Sequence, residues 1–482
     1  MNNKIGIYIF RRDLRLIDNL GLFKLQSEVD IIIPIFILDK YQIRKSDHNK
    51  HYFSSNAVQF MCNSLIDLSN QLSIYESYLR LFYGNPLKII NKLIKWIKIY
   101  NKNAEIFIGY NRDYSKFAIH RDNEIDKLVT KLNIKIIKTE DDYTLIPLHL
   151  LPKSDGMGFK QFGAFYKHSI INSVNKPIKT TFKNYLNKKI KIKSEFNIKN
   201  LIKFYKQNNL LAQTGGRTDA LKRLKNINHF STYNQLRDQL SYSTTNLSAY
   251  LNFGCISCRE FYYNIKQILG VNNQLLKQLY WRDFYLQAIV YLPLATEYKY
   301  MDIRYNKIKW QNKKSDWELL INSKTGFLIV DAAMNEMKTT GFMHGRARMI
   351  VGVFWTKYLL IDIFHPTYGS QVGYSKYLVD AVGPSQNKMN HQWITEFDYA
   401  GKKFAPSNAP IAGRPMNISN NMIAKWDPKC IYIKKWLPHL VDVEIKELYK
   451  WNTIIAAKYN NIHPEPMFDS KLKYKEWIKA CI

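Results

Sequence analysis

Three groups of residues in this chain have the types and spacing that chemistry requires. The first is Thr244-Thr245-Asn246-Leu247-Ser248, hydroxyl and amide side chains directly ahead of an apolar run. Such a segment offers hydroxyl and backbone N–H donors at a helix start, which suits a phosphate and equally suits a plain helix cap. The second is the pair Cys255 and Cys258. A CxxC pair serves zinc or redox chemistry only with a second ligand pair or a thioredoxin-like setting; neither is visible, and the spacing reads as coincidence. The third is diffuse: 71 Lys plus Arg against 39 Asp plus Glu, a formal charge of +32. Chains so basic commonly meet polyanions, nucleic acid first among them. The abundance of Lys, Ile, Asn and Tyr also fits an A/T-rich coding genome, so charge alone decides little.

The elements that must position these groups fall into two halves. From residue 4 to about 140, short β-rich runs (Lys4–Phe10, Asp30–Leu38, Tyr78–Tyr83, Ala104–Gly109, Asn133–Thr139) alternate with helical periods, as in Pro86–Asn101. That alternation predicts a Rossmann-like α/β domain with a parallel sheet, over residues 1–145. No G-x-G-x-x-G opens it, so ordinary dinucleotide binding has no support. Residues 146–214, rich in Lys and Asn and ending near Gly215-Gly216, read as an interdomain linker. Over 215–482 long helical periods dominate, including Asn273–Leu292 and Gly326–Leu360, and predict an all-α domain. At 482 residues and 46% hydrophobic content the chain holds real cores. Five scattered cysteines (Cys62, Cys255, Cys258, Cys430, Cys481) suit a reducing, intracellular compartment, cytoplasmic or nuclear. With no signal peptide and no stretch of 18 apolar residues, a soluble protein without a membrane partner is expected.

FRRDLRLIDN at 10–19 resembles the opening motif of the photolyase/cryptochrome family. Further motifs follow in family order: GGRTDALKRL at 215–224, TTNLSAYLNFG at 244–254, QLYWRDFY at 278–285, KTGFLIVDAAM at 324–334, MHGRARM at 343–349, YLVDA at 377–381 and YIKKWLPHL at 432–440. The resemblance covers nearly the whole chain and is most like class I cyclobutane pyrimidine dimer photolyases. It implies an N-terminal antenna domain, a C-terminal domain that buries FAD, and UV-damaged DNA as partner of a monomer. A second, antenna chromophore of folate or deazaflavin type is compatible, with Asn111 at a position that lines the antenna pocket.

Carried over residue by residue, the resemblance gives FAD contacts to Tyr233, Thr244, Thr245, Asn246, Leu247, Ser248, Gln278, Arg282, Arg348, Asp380 and Asn387. Arg348 and Asp380 would form an ion pair beside the flavin, and Asn387 would face its N5. A lesion flipped out of the duplex needs flat apolar surfaces, a role that falls to Trp281 and Trp393. Gln278, Arg237, Arg346 and Met349 would complete the DNA side, Met349 being the type found in cyclobutane dimer enzymes. Gln278, Trp281, Asn387, Trp393 and Trp310 form the catalytic set, with Trp310 the surface end of a tryptophan electron chain. The chain departs from the family at several points. Gln278 replaces a usual glutamate, Gly345 a usual asparagine or histidine, and Val382 an acidic residue. One residue more than in bacterial enzymes, beside a Pro384 turn, separates Asp380 from Trp393. His391 and Ile363 occupy the two inner tryptophan positions of the electron chain, so either Trp355 or a nearby tyrosine is expected to substitute, or a cellular reductant keeps the flavin reduced. The alternatives are a (6-4) photolyase, a cryptochrome photoreceptor and a flavoprotein without photochemistry.

Overall fold

The computed structural model describes residues 4–43, 54–140, 143–292, 308–380 and 418–480. Isoleucine-rich strands with no polar face must be covered on both sides, and they form a parallel sheet. β1 (Lys4–Phe10), β2 (Ile31–Leu38), β3 (Arg80–Tyr83), β4 (Glu105–Asn111) and β5 (Lys135–Thr139) pair in the order β3-β2-β1-β4-β5. In the central register Ile7 of β1 lies between Ile33 of β2 and Ile108 of β4. Local capping sets the crossover helices. Ser54 Oγ accepts from the Ala57 N–H to start Ser55–Ser73, and Asn85 with Pro86 starts Pro86–Tyr100.

The segment read as a linker packs back on this sheet. Tyr185 bridges to Ile32, Phe196 bridges to Leu81, and a short helix, Phe162–Ser169, reaches toward the helical half. Beyond residue 215 the described elements are helical, and the α/β plus all-α architecture follows the sequence expectation. One helical run differs. Gly326–Leu360 breaks into Leu328–Thr340 and Gly345–Val353, followed by a π-helical turn at Phe354–Tyr358. Gly341 closes the first helix with φ 66°, a left-handed cap that a side chain resists. The break turns Phe342 and Met343 toward the site described below.

The FRRDLRLIDN segment joins the two halves. Arg15 and Asp18 are buried; Arg15 Nη1 donates to the Gly254 carbonyl (3.0 Å), and Arg259 Nε donates to Asp18 Oδ2 (2.9 Å). Gly254, at φ 68°, leaves no room for a side chain, since a Cβ would stand 2.0 Å from the Arg12 carbonyl oxygen. Cys62, Cys255 and Cys430 are free and buried, and Cys258 is buried. The Cys255 thiol bonds to Ser64 (3.4 Å) and that of Cys258 to the Tyr143 carbonyl (3.8 Å). Among the described residues no His, Cys, Asp and Glu cluster could hold a metal, and no helix is long and apolar enough to cross a membrane.

Candidate functional site

The helix Gln274–Tyr291, capped by Asn273, carries two working faces. Gln278, Arg282 and Tyr285 follow i, i+4, i+7 spacing, and with Trp281 they turn one stripe toward a large cleft. On the other side, Asp283 accepts the N–H groups of Leu145 (2.9 Å) and Ile146 (3.1 Å), and Gln287 accepts that of Phe159 (2.8 Å). The helix thus anchors the connecting segment while lining the cleft. Complete burial pushes the Asp283 carboxyl up to about 7, against the opposing pull of Arg282 and the two N–H donors.

The opposite wall follows from the helix break at Gly341. His344 caps the second helix, its Nδ1 accepting from the Arg346 N–H (3.1 Å), and Arg348 lies one turn on. Both terminal nitrogens of Arg348 meet Asp380, Nη1 to Oδ1 at 3.0 Å and Nη2 to Oδ2 at 3.1 Å. Arg348 Nε donates to the Met343 carbonyl (2.9 Å), and Ser248 Oγ to Asp380 Oδ2 (2.7 Å). A buried charge pair with these extra bonds is compensated on both sides. Burial, then the nearby Arg346 charge, holds the His344 imidazole down at about 4.

The third wall is the run Thr244–Ser248. A short helix, Ser248–Asn252, begins there, but Leu247 occupies its cap position and no side chain caps it. The plain-cap reading of the run therefore falls, because its hydroxyls are not spent on the helix. Asn246 holds a left-handed φ of 52°, and its buried Oδ1 has no hydrogen-bond partner among the described residues. An orphaned acceptor beside a cleft is where a bound group with a donor fits. The cleft encloses about 1170 Å³ of atom-free space, its open mouth included, between these polar groups and the apolar Leu251, Phe261, Leu275 and Leu279. Convergent polar groups on a mostly apolar wall are what a large aromatic cofactor with a phosphate tail requires, and the residues present fit FAD.

Of the positions expected from sequence, Tyr233, Thr244, Thr245, Asn246, Leu247, Ser248, Gln278, Trp281, Arg282, Arg348 and Asp380 all line this one cleft, as does Gly345. Arg346 lies beside Gly345, and its Nη2 donates to Asp238 (2.6 Å) while its guanidinium covers Trp426 at 4.4 Å. Met349 and Arg237 are half-buried; Arg346 Nη1 approaches Met349 Sδ at 3.6 Å, and the Arg237 N–H donates to the Tyr233 carbonyl. Trp310 is outside the lining, with its ring 6.3 Å from Trp477, and Ile363 is wholly buried. Asn387, Trp393, His391, Val382 and Pro384 lie outside the described residues.

Two contributors escaped sequence reasoning. Phe162 stacks on one face of Trp281, centroids 3.5 Å apart and planes 6° from parallel. Asn252 accepts from Arg12 through Oδ1 and donates to the Asp380 carbonyl (3.4 Å), tying the opening motif to the cleft. The asparagine sits inside the motif TTNLSAYLNFG, but nothing local marks its reach across domains.

A second cavity, about 740 Å³ with its open mouth, lies at the carboxyl ends of β1, β2 and β4, where the strand order reverses. Arg11, Arg12, Asp39, Asp113 and Arg121 line it. Arg11 Nη1 and Arg121 Nη2 share Asp122, at 2.9 and 3.0 Å, and the buried Arg11 Nη2 is left without a hydrogen bond. Asn111 does not line this cavity, contrary to expectation. Its side chain is consumed beneath the sheet end by Tyr8, Asp13, Asn19, Gly21 and Thr139.

Comparison with known proteins follows the two halves. Residues 6–180 match the family described as DNA photolyase, and residues 275–481 match the FAD binding domain of DNA photolyase. A deoxyribodipyrimidine photo-lyase of Synechococcus is 24% identical over 99% of this chain and 97% of its own. Cryptochrome-2 of Gallus gallus is 26% identical over 93% and 76%. The structure of an archaeal photolyase from Sulfolobus tokodaii, with two FAD molecules, superposes at a TM-score of 0.82 with 31% identity, covering 99% of both chains.

Proposed function

Because the chain belongs to the FAD-binding DNA photolyase and cryptochrome family, we propose that it repairs cyclobutane pyrimidine dimers in UV-damaged DNA, driven by light. The observation that carries this reading is the single cleft holding both a buried Arg348–Asp380 pair and the Gln278–Trp281 stripe. When bound, reduced FAD supplies a photoexcited electron donor. The chain's residues would hold it: Thr244, Thr245 and Tyr233 would take its phosphates, Asn246 and Ser248 would meet its polar groups, and the compensated Arg348 would supply positive charge to the flavin without leaving a bare ion. Residues 1–145, 146–214 and 215–482 act as antenna domain, connector and catalytic domain, in a monomer.

A flipped dimer loses its stacking partners, and Trp281, braced from behind by Phe162, offers a flat replacement. The carboxamide of Gln278 donates to a pyrimidine carbonyl; unlike a glutamate it supplies no ionisable proton. Arg346 exchanges Asp238 for a DNA phosphate, and Arg237, the chain neighbour of Asp238, adds a second guanidinium. The +32 charge supplies further backbone affinity that salt weakens. The second cavity, lined by three arginines and with the Arg11 Nη2 unspent, suits an anionic antenna chromophore.

The test is blue-light repair of defined cyclobutane and (6-4) lesions in a short oligonucleotide by dithionite-reduced protein. Restoration of the cyclobutane lesion alone is expected; repair of the (6-4) lesion alone, or of neither, rejects the reading.

A further inference from the structure

The proposed chemistry needs reduced flavin, yet the inner positions of the usual tryptophan chain hold Ile363, an aliphatic core residue, and His391. A different line of aromatic side chains starts behind the Arg348 wall of the cleft. The hydroxyl of buried Tyr374 donates to the Arg348 carbonyl (2.8 Å), directly behind the ion pair. Its ring meets Trp355 edge-on, centroids 6.0 Å apart. Trp355 has no exposed surface, and Gly373 lies so close to its six-membered ring that a Cβ there would stand 2.1 Å away. The indole N–H donates to the Tyr368 carbonyl (2.7 Å), and the Tyr368 ring lies 5.1 Å from that of half-exposed Trp317. Core packing explains a buried indole by itself. It does not explain why four oxidisable residues follow one another from behind Arg348 toward the surface, two steps by ring contact and one by the indole N–H to the Tyr368 backbone, because leucine or phenylalanine fills a core equally well.

We propose that Tyr374, Trp355, Tyr368 and Trp317 form the electron path that photoreduces the flavin, an inference that rests on FAD occupying the cleft. Trp355 gives one electron to the photoexcited oxidised flavin across Tyr374 and becomes a radical cation. Its indole proton faces a backbone carbonyl, which is no base, so the cation keeps its oxidising power and draws an electron from Trp317 by way of Tyr368. An external thiol then refills Trp317, losing one electron and releasing its proton to water. Two such passes join two thiols as a disulfide; one of the two protons ends on the reduced flavin and the other stays in solvent. Electron transfer falls steeply with distance, so removing either indole leaves a gap too wide to cross efficiently.

The experiment uses the full chain reconstituted with FAD and dithiothreitol, with blue-light loss of oxidised-flavin absorbance as one readout and transient absorption of tryptophan radicals as another. Trp355→Phe is expected to slow photoreduction roughly tenfold, lengthen the excited-flavin lifetime and abolish the radical signal. Trp317→Phe, at a half-exposed site that tolerates change, is expected to shorten the life of the radical pair and slow net reduction, while Trp96→Phe, in the α/β half, leaves all three readouts unchanged. Repair by dithionite-reduced wild type bypasses the path and reads the proposed function separately. If FAD binds and reduced wild type repairs, yet Trp355→Phe and Trp317→Phe both photoreduce at the wild-type rate, the path is overturned and the function stands; failure to bind FAD overturns both.

Discussion

Beneath the opening motif in the α/β half, the Tyr8 hydroxyl lies 2.7 Å from both Asp13 Oδ2 and Asn19 Oδ1, and Asn111 Nδ2 lies 2.7 Å from the same Asp13 oxygen. Asn111 Oδ1 accepts from the Gly21 N–H (2.9 Å) and the Thr139 hydroxyl, and Asn19 also caps the helix Leu20–Gln26. In the helical half, Arg348 and Asp380 are as well buried, and with the more exposed Ser248 they make a polar centre with bonds nearly as short, but beside it Asn246 Oδ1 is unspent and a large volume is open. Both regions hold a buried carboxylate in a polar network. What separates them is satisfaction: the first closes on itself and fixes the chain, while the second closes the charge pair and leaves acceptor and space for something else.

Breaking the closed centre carries the largest expected cost. Asp13→Ala removes the acceptor shared by Tyr8, Asn19, Asn111 and the Arg11 N–H. Several buried donors are stranded together, a loss of about 4 kcal/mol. Urea unfolding of the FAD-free protein is expected to show it, while flavin bound per folded molecule stays at the wild-type level. Arg348→Leu costs about 3 kcal/mol, because Asp380 is left charged in a buried site, and the protein should also lose its FAD. The double variant Arg348→Leu/Asp380→Leu separates the two effects: its melting temperature recovers most of the loss, and its flavin content does not. Recovery of both would make the pair a purely structural device.

The fold was readable because its signals are repeated along the chain. Runs such as KIGIYIF and IIIPIFIL are apolar on both faces and leave a buried parallel strand as the natural solution, with strand ends displaced by one or two residues. The break at Gly341 was not readable, since the apolar period continues through it and only the left-handed φ reveals the turn. In the site, Gln278, Trp281 and Arg282 lie on one helix at spacings that bring them to one stripe, so local sequence fixes their meeting. Arg348 with Asp380 and Asn252 with Arg12 are tertiary pairings, and the motif resemblance pointed to the first while nothing pointed to the second. Asn111 shows the opposite failure: a family position was legible, but its side chain is spent in the closed centre.

Two ionisable groups test the same contrast through pH. Asp283 is held at about 7 against an ordinary 3.8, so the folded chain binds the extra proton between those values and stability falls as pH rises across that window. His344 is held at about 4 against 6.5, so its contribution is present above pH 6.5 and is lost as pH falls toward 4. The two slopes oppose each other, and the wild-type stability from these groups is expected to be nearly flat between about pH 4.5 and 6.5. Asp283→Asn exposes the histidine, giving a melting temperature that climbs with pH. His344→Asn keeps a helix cap and exposes the aspartate, giving one that falls. Parallel profiles in the two variants would contradict the assignment of opposite signs.

The smallest expected effect is the sharpest test of satisfaction, and the choice of substitution decides whether it is readable. Asn246→Ala would confound two terms, since alanine is strained at φ 52° by about 1 kcal/mol whatever the amide does. Asn246→Gly holds that backbone without strain and removes the amide alone. If the orphaned Oδ1 is an acceptor reserved for the cofactor, its loss leaves the FAD-free protein within about 0.5 kcal/mol of wild type. FAD affinity, followed by fluorescence titration, then weakens by about 1 kcal/mol, roughly fivefold. Equal losses in the free and loaded protein would instead place Asn246 with Asn111, as a residue that holds the chain and not the ligand.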